Sequence, residues 1–325
     1  MIRLENVTKK YGSTVALDSF SLNVNEGDVC VLVGQSGCGK STCLKMINRM
    51  LEPTEGSIYV MGRNVTDFQP EALRRQIGYV IQSIGLFPHM TVAENVGLVP
   101  GLLEWDQKRI AHRVKELVSL VGLEPGQYLE KYPRELSGGE AQRIGVARAL
   151  AADPEILLMD EPFGAVDPIN RDNLHTEFIR IQKDLKKTVV FVTHFIDEAI
   201  RVADQIAVMK AGKLVQYDTP ENILASPSES FVRDFVGAAR TLKLLQRFFV
   251  KSIMRPAHST SITDAMDIAN LGELTVKLET TLEEALSKML GLRFKKIAVA
   301  DDDKRVLGEV WLEDIEKVAY KGNLS

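Results

Sequence analysis

Hydrophobic and polar positions along this chain change rhythm twice. Up to about residue 88, apolar residues alternate with polar ones or fall in short unbroken runs, separated by turns that contain Gly and Asn. Residues 3–7, 15–24, 29–33 and 56–61 therefore read as strands. From Thr91 the apolar positions recur at helical spacing. Thr91 and Glu94 form a capping-box pair, and the helical stretch runs to Val121 with a break at Pro100-Gly101. An Ala-rich helix is predicted from about Gly139 to Ala152, stopped by Asp153-Pro154. Strand character returns at residues 156–159 and 188–193, on either side of a polar helix over 171–186. A hairpin over 205–218 turns at Lys210-Ala211-Gly212-Lys213. Strands and helices in alternation imply a largely parallel sheet covered on both faces.

After Phe235-Val236-Gly237 the composition shifts again. Residues 241–251 read as an amphipathic, basic helix, and 256–263 are rich in Ser, Thr and Pro. The final stretch reads strand (274–278), helix (281–290), strand (297–300), strand (306–310) and helix (312–320), with Thr281 and Glu284 capping its first helix. The expected organisation is a first domain over 1–237, a helical linker over 238–270 and a small domain over 271–325.

The strongest chemical signal lies between the predicted strand 29–33 and a helix that follows from Ser41. Gly34-Gln35-Ser36-Gly37-Cys38-Gly39-Lys40-Ser41-Thr42 is a G-x-x-x-x-G-K-[ST] phosphate loop. Its glycines let successive backbone N–H groups curl around an anion, and the helix N-terminus behind them adds partial positive charge. Lys40 would reach the β- and γ-phosphates and the Ser41 hydroxyl would ligate Mg²⁺. The chain is expected to bind a nucleoside triphosphate. Leu136-Ser137-Gly138-Gly139-Glu140 places small residues at the start of the Ala-rich helix, a second anion cradle. Ile156-Leu157-Leu158-Met159-Asp160-Glu161 is an apolar strand that ends in two carboxylates, and Thr193-His194 ends another.

Composition narrows the surroundings. The 325 residues are 45% hydrophobic and 26% charged, an ordinary globular balance. A formal charge of −4 gives no global reason to expect nucleic-acid binding. The opening residues carry charges where a secretory leader would need an apolar stretch, and no apolar run is long enough to span a bilayer. A cytoplasmic location is expected, with any membrane role arriving through a partner. Cys30, Cys38 and Cys43 cluster around the phosphate loop without zinc-type spacing. Cys38 reads as a small residue that fits a tight loop or, near a helix N-terminus, as a reactive thiol.

Taken together, the phosphate loop, Leu136-Ser137-Gly138-Gly139-Glu140, Asp160-Glu161 and His194 resemble the ATP-binding cassette (ABC) family over residues 1 to about 237. The resemblance implies an α/β P-loop NTPase fold with a RecA-like core, an antiparallel β-subdomain and an α-helical subdomain. It implies ATP and Mg²⁺ as cofactors, and a homodimer in which the signature 136–140 of one copy closes over the ATP held by the phosphate loop of the other. Asp160, with Ser41 and Gln82, would hold Mg²⁺. Glu161 would be the general base, His194 would contact the γ-phosphate, and Gln82 would sense it and relay to a partner. Asp167, in Gly164-Ala165-Val166-Asp167, matches the loop that crosses the dimer interface, and Tyr11 matches the aromatic that stacks on adenine. The chain departs from the pattern at Glu140, where Gln is more usual, and at Val166, where Leu is common.

One cassette without a coiled coil is similar to importer subunits rather than to soluble members of the family. Ile81-Gln82-Ser83-Ile84-Gly85-Leu86-Phe87-Pro88-His89 would then dock a membrane permease subunit; a buried turn is the alternative. With Cys43-Leu44-Lys45-Met46-Ile47-Asn48-Arg49 and Phe235-Val236-Gly237, this stretch looks like osmoprotectant importers of glycine betaine, choline, carnitine or related quaternary amines. Permease subunits, and indirectly an extracytoplasmic substrate-binding protein, would supply selectivity, with the ATPase peripheral at the cytoplasmic face. A soluble ABC mechanoenzyme and a nucleotide-sensing regulatory module are the other readings. The tail is similar to a single CBS motif, a small α+β domain that would pair across a homodimer. There an Asp such as Asp314 contacts ribose, but Trp311 stands where a Ser or Thr precedes it. Arg293, Lys295 and Lys296 read as a lipid-facing basic patch or as a solvated face.

Overall fold

The structure is a computed structural model that describes residues 1–81, 85–164, 175, 178–180, 182, 186–237, 240–256, 275–303 and 305–321. It divides into two compact units, Met1–Tyr217 and Asp218–Ser325.

Two sheets build the first unit. The smaller is antiparallel, in the order β2-β1-β4-β5, from β1 (Ile2–Tyr11), β2 (Thr14–Val24), β4 (Glu55–Val60) and β5 (Arg63–Asn64). The larger has the order β10-β9-β3-β8-β7-β6, from β3 (Val29–Gly34), β6 (Ile77–Val80), β7 (Ile156–Asp160), β8 (Thr188–Thr193), β9 (Gln205–Lys210) and β10 (Lys213–Asp218). From β9 across β3, β8 and β7 to β6, each adjacent pair of strands is parallel. Every residue of β3, β7 and β8 is buried, as covering helices on both faces require. Strand β10 returns from β9 through Ala211 and Gly212, whose φ values of 47° and 81° are those of a tight hairpin turn.

Helix α1 (Lys40–Ile47) joins the two sheets. Its Cys43, Leu44, Met46 and Ile47 share one core with Leu4, Phe20 and Ile58 of the small sheet and Leu32, Leu158 and Val190 of the large one. Each fully buried Leu or Ile contributes about 1.5–3 kcal/mol, so this helix is fixed from both sides. The thiols of Cys30 and Cys43 lie inside this core, where burial pushes Cys43 up to about 12 and Cys30 further in the same direction.

Helices α2 (Pro70–Gln76), α3 (Val92–Leu102), α4 (Gln107–Leu120), α5 (Pro125–Tyr128) and α6 (Gly138–Leu150) complete the unit. The Thr91 capping box starts α3 as predicted, with Glu94 N–H bonded to the Thr91 hydroxyl and Thr91 N–H to the Glu94 carboxylate. The predicted break at Pro100 falls inside the helix instead. Only the last turn follows Pro100, so the one hydrogen bond that proline removes, to the Val96 carbonyl, interrupts the helix just before it ends. Asp106, whose carboxylate accepts from Lys108 and Arg109 N–H, then starts α4. Most of the polar helix expected over 171–186 lies outside the described residues.

The second unit begins with the helices Pro220–Ala225, Ser230–Val236 and Arg240–Leu245. Residues 218–237, which the sequence pattern places with the first domain, sit in this unit because the helix Pro220–Ala225 packs on Arg240–Leu245 and Glu221 pairs with Arg247 at 2.7 Å. The basic helix expected to reach Lys251 stops at Leu245. Beyond it, Val250 N–H donates to Thr280 O, Leu282 N–H donates to Phe248 O, and Phe249 bridges Thr281. Those backbone groups serve a strand-like pairing and cannot serve a helix. The sheet of the tail has the order β11-β14-β13-β12, from β11 (Arg255–Pro256), β12 (Thr275–Val276), β13 (Lys296–Ala300) and β14 (Val306–Trp311). Helices Leu282–Leu292 and Leu312–Lys321 cover it, around Leu282, Met289, Ile297, Val299, Val310, Ile315 and Val318.

Candidate functional site

Strand register brings the site together. Val33 of β3 pairs with Thr193 of β8, and Asp160 of β7 pairs with Val192 of β8. The phosphate loop after β3, the carboxylates at the end of β7 and His194 after β8 therefore emerge side by side at the C-terminal edge of one parallel sheet. Ligands of open α/β folds bind at that edge.

Within the loop, Gly39 has φ 105°, and a Cβ there would lie 2.5 Å from Ala16 O and 2.9 Å from Leu17 Cδ2. Only glycine takes that turn at that spacing. Lys40 is 5% exposed. Its ammonium lies inside the loop, 2.7 Å from Gly34 O and 3.0 Å from Gln35 O, with Cys38 Sγ at 3.8 Å. Cys38 itself is buried in the loop, the setting of a small residue in a tight turn. Ser41 donates to Asp160 Oδ1 at 2.9 Å. Burial pushes the Asp160 carboxyl up and the neighbouring Glu161 charge adds to it, against the Ser41 hydrogen bond, Lys45 and Lys40. A buried carboxylate and a hydroxyl, both hard oxygen donors, beside a phosphate loop fit Mg²⁺, which takes a few protein oxygens and completes its shell with phosphate and water.

Glu161 follows in the left-handed region, with φ 45°, a conformation that costs a non-glycine residue about 1–3 kcal/mol. Its N–H donates to Val192 O at 2.9 Å, and its carboxylate Oε1 lies 3.3 Å from His194 Nδ1. The Phe195 ring flanks the imidazole at 3.9 Å between centroids. A carboxylate and an imidazole in contact, next to a Ser–Asp pair and a buried lysine, can hold a phosphate chain and take a proton from a water molecule.

The signature residues occupy the start of α6. Ser137 caps it: Glu140 N–H donates to Ser137 Oγ at 3.3 Å, and Ser137 N–H donates to Glu140 Oε2 at 2.7 Å. Leu136 precedes the cap, and Gly138 and Gly139 form the first turn. The Tyr128 hydroxyl donates to Glu140 Oε1 at 2.6 Å, and this bond, with that from Ser137 N–H, holds the Glu140 carboxyl below the usual carboxylate range. The departure from Gln thus has a structural use. Among the described residues, no hydrogen bond joins 136–140 to 34–42 of the same chain. Glu140→Gln is expected to leave ATP turnover within about tenfold of wild type, because a glutamine can complete the capping box and offer its NH₂ to the Tyr128 oxygen. A steady-state phosphate-release assay checks this, and a larger change overturns it.

Tyr11 ends β1, half-exposed, with Lys9 Nζ 5.2 Å from its ring centroid. Gln82, Asp167 and Val166 lie outside the described residues, as do Ser83 and Ile84.

Sequence reasoning missed three residues that shape the site's surroundings. Asn95 is fully buried and clamps 87–91: its Oδ1 accepts Phe87 N–H at 2.8 Å, and its Nδ2 donates to Phe87 O, Met90 O and Thr91 O. Arg148 of α6 donates to Gly85 O at 2.7 Å. Arg148 and Phe87, the latter held by Asn95, line a cleft of about 320 Å³ with Met50, Tyr79, Ile81 and Leu98. The third, Glu198, lies behind His194 and is treated below. A polar residue in a helical pattern reads as solvent-facing, so only the capping-type spacing of Asn95 behind Thr91 hinted at its use.

In the tail, Asp314 is already engaged. Arg255 donates to both its oxygens, at 2.7 and 2.8 Å, and Lys317 to one at 3.0 Å. Lys296 pairs with Glu309 at 3.0 Å and sits 5.1 Å from the Trp311 ring, so it belongs to a paired cluster rather than to an open basic face.

A family profile described as ABC transporter matches residues 17–164. The choline transport ATP-binding protein OpuBA of Bacillus subtilis is 45% identical over 325 residues, covering 100% of this chain and 82% of that protein. The osmoprotectant import ATP-binding protein OsmV of Salmonella typhimurium is 48% identical, over 95% of this chain and 79% of its own. The glycine betaine uptake system ATP-binding protein YehX of Escherichia coli is 42% identical, over 97% and 99%. Among solved structures, the dimeric bacterial ABC transporter cassette MJ0796 is 35% identical with a TM-score of 0.62, covering 68% of this chain and 99% of that one. The same cassette in a post-hydrolysis state bound to ADP and Pi aligns with a TM-score of 0.61. With this sheet, this phosphate loop and relatives 42–48% identical over 79–99% of their length, the chain belongs to the family of ABC transporter ATP-binding proteins.

Proposed function

We propose that this chain is the ATP-hydrolysing subunit of a membrane importer for osmoprotectant quaternary amines, of the glycine betaine, choline and carnitine class. Two copies sandwich two ATP molecules, and closure of the pair moves attached permease subunits. The observation that carries the catalytic part is the Glu161–His194 contact of 3.3 Å beside the Ser41–Asp160 pair.

The loop 34–42 and the N-terminus of α1 bind the phosphates, and Lys40 exchanges its contacts with the loop carbonyls for phosphate oxygens. Ser41 and Asp160, with Gln82, would hold Mg²⁺, which when bound neutralises charge on the phosphate chain. Glu161 takes the proton of the attacking water, a role typically worth ~10²–10⁴ in rate. His194 orients that exchange by holding the Glu161 carboxylate and contacting the γ-phosphate. Tyr11 stacks on the base. Leu136, Ser137, Gly138, Gly139 and Glu140 of one copy close over the nucleotide of the other, where Asp167 crosses between them.

Permease segments dock in the cleft that Asn95 and Arg148 shape. Its mixture of Phe87, Met50 and Leu98 with Arg74 and Arg148 suits the end of an amphipathic helix. A substrate-binding protein outside the membrane acts only through those permease subunits. Among the described residues no helix is long and apolar enough to cross a membrane, so attachment at the cytoplasmic face runs through the partner. In the tail, the Arg255 guanidinium takes the place at Asp314 that a ribose would need.

The test starts from membranes of cells carrying a tagged Glu161→Gln chain, extracted in mild detergent. Multispanning subunits are expected to co-purify in stoichiometric amount, and their substrate-binding protein is expected to bind betaine, choline or carnitine. A soluble partner, or none, would overturn the importer assignment and leave the ATPase.

A further inference from the structure

The structure assigns Glu198 as the residue that positions His194, an inference that rests on the roles given above to Glu161 and His194. Glu198 lies in the first turn of the helix Ile196–Val202 and is 5% exposed. A carboxylate buried to that degree is costly to desolvate and persists where hydrogen bonds engage its oxygens. Its Oε2 accepts the Thr193 hydroxyl at 2.5 Å. Thr193 Oγ1 in turn accepts Phe195 N–H at 3.1 Å. The residue before His194 and the residue after it are therefore tied to one oxygen, and that oxygen is tied to Glu198. The backbone turn that presents the imidazole has little freedom left.

The other face of the same carboxylate leads to Glu161. Glu198 Oε1 lies 3.7 Å from His175 Nε2. His175 is 3% exposed, and its ring meets Phe163 at 4.7 Å between centroids, edge to face. Phe163 stands two residues beyond Glu161 and is itself buried. One buried carboxylate thus underlies both partners of the 3.3 Å contact, through Thr193 on the His194 side and through His175 and Phe163 on the Glu161 side. A carboxylate that only favoured the start of its helix would have no need of either connection. Glu198 touches no reacting atom and acts through His194, as a positioning residue.

Thr193→Val removes the hydroxyl at nearly constant shape, and Glu198→Gln removes the charge. Both are expected to lower kcat by about tenfold while KM for ATP stays within about twofold, the pattern of an interaction used mainly in the transition state. Thr193→Ser is expected to restore wild-type turnover. The imidazole resonance of His194, identified by its loss in His194→Ala, is expected to move in Thr193→Val and Glu198→Gln and to return in Thr193→Ser. A His194 resonance unmoved in both variants, or a kcat unchanged in both, overturns the inference. Wild-type turnover in His194→Ala would instead overturn the role given to His194, with the resonance still deciding whether Glu198 positions it.

Discussion

Glu161→Gln will bind ATP, pair with a second copy and turn over at less than about one hundredth of the wild-type rate. The substitution keeps the size of the side chain and an oxygen that can face His194 Nδ1, now 3.3 Å away. What it removes is the capacity to accept a proton from water. Nucleotide binding is expected to survive, because Lys40 and Ser41 bring their contacts from α1 and Asp160 from β7, and none depends on Glu161. The left-handed backbone at Glu161 is set by its N–H bond to Val192 O, and a glutamine can make the same bond. Single-turnover phosphate release, with size-exclusion chromatography in ATP, separates the two effects. Wild-type turnover would remove Glu161 from the mechanism.

Gly39→Ala is expected to abolish nucleotide binding and to destabilise the protein by about 2–5 kcal/mol, from left-handed strain and overpacking together. The added methyl would press on Ala16 O at 2.5 Å and Leu17 Cδ2 at 2.9 Å. Both neighbours are held, since β2 pairs along β1 and Leu17 is fully buried. Relief would have to come from the loop itself, by swinging away from the N-terminus of α1. A thermal melt and titration with a fluorescent ATP analogue read the two effects. Unchanged affinity would mean that the loop tolerates a side chain there.

Much of the site was legible because its chemistry sits in consecutive residues. A phosphate loop needs only a local strand–loop–helix context, and Asp160-Glu161 closes a run of apolar residues that can hardly be anything but a buried strand. His194 was legible by its place after a second such strand. Its contact with Glu161 was not, because that depends on the pairing of β7 with β8 across a long stretch of chain. Asn95 and Glu198 stayed hidden for a related reason. In sequence each is a polar residue in a helix, and what buries it is a neighbouring loop or strand end. Short elements also escaped, such as the helices Pro70–Gln76 and Ile196–Val202, which give periodicity too few turns to register. The overlong helix after residue 240 failed because apolar spacing continued while the backbone was recruited to pair with 280–282. The Glu140 departure meets the Tyr128 hydroxyl, a partner that spacing does not announce.

Strand β8 lies between β3 and β7, with Thr193 against Val33 and Val192 against Asp160. It acts as the ruler against which both halves of the site are measured, so the length of this strand is constrained more tightly than its composition. Exchanging one buried apolar residue of β8 for another of similar volume costs less than about 1.5 kcal/mol and leaves every distance in place. One residue inserted or deleted between Thr188 and His194 would reverse the facing of all that follows, carrying the imidazole away from Glu161 and Thr193 away from Glu198. Drift in this family can therefore be generous in side chains along the sheet, while insertions and deletions must collect in the loops beyond its edges.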